Sequence, residues 1–481
     1  MKNLKIILCL CISFIFQSSF AQTVNKDYAM VIANSQLILS EKQNSFSVKS
    51  CEEIVQGNIP FCYVVLIEPT GFLVVSADKN LPPVLAYSFE NDFGNISNDN
   101  PLLTLLKADI SSRIKYSSEN NITEKYEQVW NKLLNGDYNK SSDSTFQQWP
   151  DVGDGWLKTN WTQDAPYKNF CPIDPVTSQR SIAGCPAVAM AQILNFHETT
   201  NNMHFDDNDD YYHNYAGRQY MIDDDYSLHG FPSFPELNEY LDTLNAHYTN
   251  NIIPTDTDKA TLTFACGVAA TQVYTSSGSG TFSVSQALAA YLRFGFSTVE
   301  LLDSNDTDLY DRLKQNIKDT LPAHLAVVDS AWSMGHNVVV DGYNTDEYYH
   351  LNFGWGGSYN GWYLLPQEIP YNLTVIEGVV VDIIKPNIAS INNETAGTSV
   401  ITVYPNPFVE SATISGYLNT PGEIQLKIYD TTGKMIKEIP LEQKSSGNFK
   451  IPVSMLRQAL GVYYYQITLD GGIQTGKIIK Q

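Results

Sequence analysis

The chain has 481 residues, more than one compact core accommodates, so roughly three domains are expected. An apolar fraction of 43%, with 29 tyrosines and 21 phenylalanines, argues against a disordered chain. A formal charge of −22 and the lack of any basic stripe argue against nucleic acid as a partner.

Lys2 and Lys5 flank the start of an apolar core over residues 6–16, which ends in Gln17-Ser18-Ser19-Phe20-Ala21. A positive start, a short apolar core and a small residue before the cut are the marks of a secretory signal peptide over residues 1–21. The core is too short for a permanent membrane span. Cleavage removes Cys9 and Cys11 and leaves Cys51, Cys62, Cys171, Cys185 and Cys266. An odd number in an exported chain leaves at least one free thiol. Whether Cys51 and Cys62 pair is left open by the sequence.

Residues 24–39 carry alanines and aliphatics at helical spacing. Two β-rich runs, 63–67 and 72–77, flank the turn Glu68-Pro69-Thr70-Gly71 and read as a hairpin, and 84–89 as a further strand. A helix carries the chain to about residue 129, and the Ser/Asp/Asn-rich stretch 139–148 reads as a linker. Residues 22–145 are therefore expected to form a separate small α+β unit with no catalytic set.

Residues 146–392 hold the chemistry. Ser181-Ile182-Ala183-Gly184-Cys185-Pro186 runs into the small-residue helix Ala187-Val188-Ala189-Met190-Ala191-Gln192. Pro186 suits a first helical turn, and Cys185 then sits among unpaired N–H groups that favour a thiolate. A buried structural cysteine is the competing reading. Further on, helices are expected over 235–245, 261–273 and 284–294, and a strand over 323–328. The acidic runs at 206–210 and 223–225 lack the spacing and glycine of a calcium loop, so they read as solvated loops. No metal or cofactor is expected.

A thiolate nucleophile needs a base, and a third group to orient that base. Of the eight histidines, His336 fits best: Gly335 precedes it, a strand follows, and a hairpin partner returns over 348–357. A three-residue hairpin loop would put Asn352 on the face of His336; a four-residue loop would put Phe353 and Trp355 there. His197 lies at the far end of the Cys185 helix, roughly 18 Å away at about 1.5 Å per residue. Gln163, in an aromatic turn ahead of the cysteine, suits a second oxyanion donor beside the Cys185 N–H. A satisfied core histidine and an ordinary loop glutamine are the bland readings of these two residues.

From about residue 393, Tyr404-Pro405-Asn406-Pro407 is followed by short alternating strands and turns, as in an all-β immunoglobulin-like sandwich.

The set Trp161-x-Gln163-x-x-Pro166-Tyr167, Cys171-Pro172, and Gly184-Cys185 with Ala189-Met190-Ala191-Gln192 resembles the streptopain family of cysteine peptidases. So do Gly335-His336, Val340-Asp341-Gly342-Tyr343 and Asn352-Phe353-Gly354-Trp355-Gly356-Gly357. The resemblance implies a papain-like α+β domain over 146–392. In it Cys185 is the nucleophile, His336 the base and Gln163 the oxyanion donor, while Asn352 and Trp355 orient and shield the histidine. It also implies a substrate side formed by Ser277, Gly278, Ser279 and Gly335. Pro186 and Phe353 depart from the family pattern, which usually has valine and tryptophan there.

Residues 22–145 resemble the inhibitory propeptide of these zymogens, and 393–481 resemble the type IX secretion sorting domain. The implied partners are protein or peptide substrates, the chain's own propeptide and the type IX machinery. The implied destination is the medium or the cell surface, by way of the periplasm. Two other readings are a catalytically impaired surface adhesin on a peptidase scaffold, for which Phe353 speaks, and an amidase or acyltransferase using the same thiol.

Overall fold

The computed structural model describes residues 24–57, 59–97, 100–120, 125–136, 146–329, 335–367, 375–386 and most of 401–480. The signal-peptide segment, Pro405, Pro407 and the boundaries near 145 and 392 lie outside the described residues. Two compact units divide the chain, one ending at Asn387 and one beginning at Ile388.

The first unit opens with α1 (Lys26–Leu39), capped by the Asn25 side chain, which accepts from the Tyr28 N–H. A meander follows: β1 (Ser47–Gln56), β2 (Ile59–Glu68), β3 (Phe72–Ser76) and β4 (Val84–Ser88). β1 has no apolar alternation to announce it; only Cys51 and Ile54 along it are buried. Cys51 and Cys62 are both free and pack into different cores on opposite sheet faces. α2 (Pro101–Asn120) and α3 (Glu127–Asn135) complete this lobe.

Beyond it come β5 (Gln148–Trp149), α4 (Cys185–Phe196) and the hairpin β6 (Tyr211–Tyr215) and β7 (Arg218–Ile222). Next are α5 (Tyr226–His229), α6 (Phe234–Thr249), α7 (Asp256–Ala269) and α8 (Val284–Arg293). A capping box of Thr255 and Asp258 starts α7 five residues before the small-residue run that marks it in sequence. β8 (Glu300–Asp303), α9 (Leu309–Lys318), β9 (Ala323–Val328), β10 (Gly335–Asn344), β11 (Tyr348–Asn352), β12 (Gly361–Leu364) and β13 (Ile376–Val381) finish the unit. α4 is apolar all round, and Pro186 to Leu194 are all buried, because it packs against both α7 and β10.

The N-terminal lobe is not a separate unit. Its strands run into one 11-stranded sheet in the order β1-β2-β3-β4-β12-β11-β10-β9-β13-β8, with β5 added beside β10. The join is β4 on β12, where Tyr87 opposes Trp362 and Ala86 opposes Tyr363. Tyr348 Oη donates to the Val84 carbonyl at 2.8 Å, and Arg113 Nη2 to the Leu364 carbonyl at 2.6 Å. Pairing over so long a sequence separation leaves no local signal in the chain.

The second unit comprises β14 (Thr402–Tyr404), β15 (Ser411–Leu418), β16 (Gly422–Tyr429), β17 (Met435–Lys444), β18 (Gly447–Ser454), β19 (Gly461–Leu469) and β20 (Gly472–Lys480). They form two antiparallel sheets, β14-β15-β18 and β17-β16-β19-β20, around one core that includes Ile414, Leu426, Val453 and Ile467. β16 alternates buried and outward residues as a half-buried strand does. This is the expected sandwich. Among the described residues no helix is long and apolar enough to cross a membrane.

Candidate active site

Gly184 precedes α4 with φ +86, a left-handed conformation natural to glycine. A Cβ there would lie 2.7 Å from Gln272 Oε1, and Gln272 Nε2 donates to the Ala183 carbonyl at 2.8 Å. The bend thus brings Cys185 to the first turn of α4, with Pro186 beside it. Cys185 alone of the five described cysteines is partly accessible. Burial pushes Cys62 and Cys171 up to about 12, Cys51 to about 11 and Cys266 well above its ordinary value. These four are inert as nucleophiles.

The Cys185 thiol is also raised, by burial, against a downward pull from the backbone and side-chain N–H groups of Asn337. Burial thus works against the thiolate expected at a helix start, and desolvation outweighs the helix terminus here.

His336 stands at the start of β10, opposite Val327 of β9. Its ring stacks on Trp355 at 4.1 Å and on Phe353 at 5.9 Å. Its Nε2–H donates to the Phe353 carbonyl at 2.8 Å, which leaves Nδ1 as the acceptor. Burial lowers its pKa to about 4, so the ring is neutral. Among the described residues no hydrogen bond joins His336 to Cys185; the thiol's partner is Asn337, whose Nδ2 lies 4.0 Å from Sγ.

The register explains this. Tyr343 opposes Tyr349 and Gly342 opposes His350, but Val340 opposes Leu351 and Val339 opposes Asn352. Asp341 is an extra residue, a bulge that shifts the parity of β10 by one. Hence the loop has three residues, yet His336 shares its face with Phe353 and Trp355 rather than Asn352. Val338 and Val340 face the core with those aromatics, while Val339 faces the α4 core.

The other expected site residues fall as follows. Asn352 is buried, but its amide serves the Cys185 helix: Gln192 Nε2 donates to its Oδ1 at 3.2 Å, and its Nδ2 donates to the Thr159 carbonyl at 2.8 Å. Among the described residues no hydrogen bond joins it to His336. Trp355 does meet His336, through its ring face. The Gln163 carbonyl accepts from the Ala183 N–H at 3.0 Å, two residues ahead of the thiol, and its side chain is half-buried. Ser277, Gly278 and Ser279 sit in a turn folded on Thr275, whose carbonyl accepts from the Ile182 N–H at 3.1 Å. Asp174 anchors this turn through Ser276 and Arg218. Gly335 is exposed at the edge of β10.

The sequence reading missed Asn337, Gln192 and Asp341 as site residues. A glutamine in an otherwise apolar helix was the available signal for Gln192. Nothing local marked the others.

The N-terminal lobe grips the histidine's loop. The Tyr359 N–H donates to the Asp92 carbonyl at 3.1 Å, Asn100 Nδ2 donates to Tyr359 Oη at 3.1 Å, and Phe93 meets the Tyr359 ring edge-on at 5.6 Å. Tyr359 in turn abuts Trp355 at 5.5 Å. A continuous packed path therefore runs from the lobe to His336. The lobe thus packs against the loop that carries Trp355, the residue on which the His336 ring stacks.

Residues 161–363 match the Peptidase C10 family, residues 21–114 the Spi protease inhibitor and residues 402–481 the secretion system C-terminal sorting domain. The chain carries a streptopain-like C10 peptidase domain behind an inhibitor propeptide, and its tail marks it for type IX export to the surface or medium.

It is 27% identical over 300 residues to the thiol protease/hemagglutinin PrtT of Porphyromonas gingivalis, covering 61% of this chain and 32% of PrtT. With streptopain of Streptococcus pyogenes it shares 24% over 338 residues, covering 63% and 73%. A fragment of Prevotella intermedia prointerpain A superposes with a TM-score of 0.49 at 24% identity, covering 69% of this chain and 98% of the fragment. The chain thus spans about a third of PrtT and about three quarters of streptopain.

Proposed function

We propose that the protein is a secreted cysteine endopeptidase made as a zymogen, with Cys185 as nucleophile, His336 as acid and base, and Gln163 as oxyanion donor. The observation that carries this is the partly accessible Cys185 thiol on the first turn of α4, with a neutral histidine one residue away from the thiol's contact on β10.

Activation needs His336 on the other face of β10. If the bulge at Asp341 moves toward the strand start, residues 336–340 slip by one against β11. His336 then comes to the Cys185 face, where Asn352 is. A one-residue slip exchanges faces wholesale, and the run Val338-Val339-Val340 offers valine to each core in either register. Loss of the N-terminal lobe frees Tyr359 and Trp355 to allow it.

In the active register, His336 takes the thiol proton at Nδ1, and Sγ attacks the peptide carbonyl. The Cys185 N–H and the Gln163 side chain hold the oxyanion. His336 protonates the leaving amine, and water then cleaves the thioester. On this reading the turn 277–279 and Gly335 form the substrate side.

The test is hydrolysis of casein by the matured chain. Cys185→Ala and His336→Ala are each expected to leave no hydrolysis above background. Full activity in the alanine variant of Cys185 refutes the assignment. The impaired-adhesin reading takes support from a His336 turned away from the thiol, and predicts that the matured wild-type chain is inactive too.

A further inference from the structure

Asn337 has no part in the hydrolysis just described, yet it touches the nucleophile. Its Oδ1 lies 2.7 Å from His324 Nε2, and His324 Nδ1 lies 3.2 Å from Tyr291 Oη. Both His324 and Tyr291 are 0% exposed. A buried hydroxyl left without an acceptor is costly. Giving the buried tyrosine hydroxyl an acceptor sets one direction: Tyr291 O–H to Nδ1, His324 Nε2–H to Oδ1, and Asn337 Nδ2–H to Sγ. Reversing the chain strands the tyrosine hydroxyl and turns an amide oxygen toward the sulfur.

We propose that Tyr291, His324 and Asn337 form a positioning relay for the Cys185 thiol in the latent chain. The proposal rests on Cys185 being the nucleophile, but its test does not need catalysis. The elements fit the role. Tyr291 lies on α8, His324 on β9 and Asn337 on β10, so the relay ties three elements of the α4 core to one sulfur. His324 opposes Val339 across the β9–β10 ladder, which places it on the Asn337 side of the sheet. The relay also marks the latent register, because a one-residue slip of β10 would carry Asn337 away from Sγ as His336 arrives.

The titratable groups of the relay are His324 and Tyr291, and His336 lies on the opposite face of β10. Burial lowers both histidines to about 4 and raises the tyrosine well above its ordinary value, so none changes charge while the thiol titrates.

The experiment is alkylation of the full-length chain by iodoacetamide across pH, with the modified peptide quantified by mass. Asn337→Asp keeps the shape and puts an acceptor where a donor was. Its alkylation midpoint is expected to rise by about one pH unit, or about tenfold in thiolate at a fixed pH below the midpoint. Tyr291→Phe deletes only the distant hydroxyl and is expected to move the midpoint the same way, by less. Should Asn337→Asp misfold, Tyr291→Phe still decides, since it leaves the ring in place. An unmoved midpoint in Tyr291→Phe with an unmoved or lowered one in Asn337→Asp overturns the relay. A shifted midpoint in a chain whose Cys185→Ala variant still hydrolyses casein would keep the relay and sink the peptidase assignment.

Discussion

Asp341→Ala is expected to lower the stability of the first unit by about 3–5 kcal/mol, the usual cost of removing one partner of a buried ion pair. Asp341 is 0% exposed, and its Oδ1 lies 2.6 Å from His350 Nδ1. Its Oδ2 accepts from the Leu157 N–H at 3.0 Å, and its carbonyl accepts from the Trp156 N–H at 2.8 Å. Truncation leaves His350 without its carboxylate, and His350 Nε2 is already a buried atom lacking a partner among the described residues.

Burial alone would lower the His350 pKa, but Asp341 raises it on balance. That stabilisation is present below the unfolded value near 6.5 and is lost as pH rises through the raised one. The variant should therefore lose more at pH 6 than at pH 9. Urea melts of the Cys185→Ala full-length chain and of its Asp341→Ala derivative measure this; equal midpoints would show that the pair stabilises nothing. Asp341→Asn, which keeps an acceptor for Leu157, should lose less.

Acid should weaken the latent state strongly. His197, His324 and His336 are each lowered by burial from 6.5 to about 4. A depressed histidine contributes stability above its unfolded pKa, and that contribution is lost as pH falls from 6.5 through the folded value. At about pH 4.5 the loss is about 2–3 kcal/mol for each fully buried ring, at about 1.4 kcal/mol per pH unit. His350 works in the opposite direction and opposes the loss, while Asp174 has its carboxyl held well below the usual range and is unaffected.

The full-length Cys185→Ala chain should thus melt at sharply lower temperature at pH 4.5 than at pH 7. His336→Gln, which removes one of the three groups, should show a shallower dependence. A flat profile between those pH values, or the same slope in the glutamine variant, would contradict the neutral buried histidine.

Much of the site was readable because its chemistry is local. Gly184, Cys185 and Pro186 announce a helix start in three residues, and Gly335-His336 before a valine run announces a strand start. The face of His336 was not readable, since it turns on a single bulge at Asp341 and no residue type marks a bulge of this kind. The relay behind Asn337 needed the β9–β10 register, which joins His324 to Val339 across the sheet. β1 escaped notice because its polar residues cover an edge, and the β4–β12 join because its partners are more than 270 positions apart. The raised pKa of the Cys185 thiol follows from burial, which the sequence of one helix start does not contain.

The most direct test of the account is labelling with a thiol-directed peptidyl epoxide, before and after removal of residues 22–145. The full-length chain should stay unlabelled, and the matured chain should take one adduct, on Cys185, that Cys185→Ala abolishes. An adduct on another cysteine, none on the matured chain, or equal labelling of both forms would contradict it.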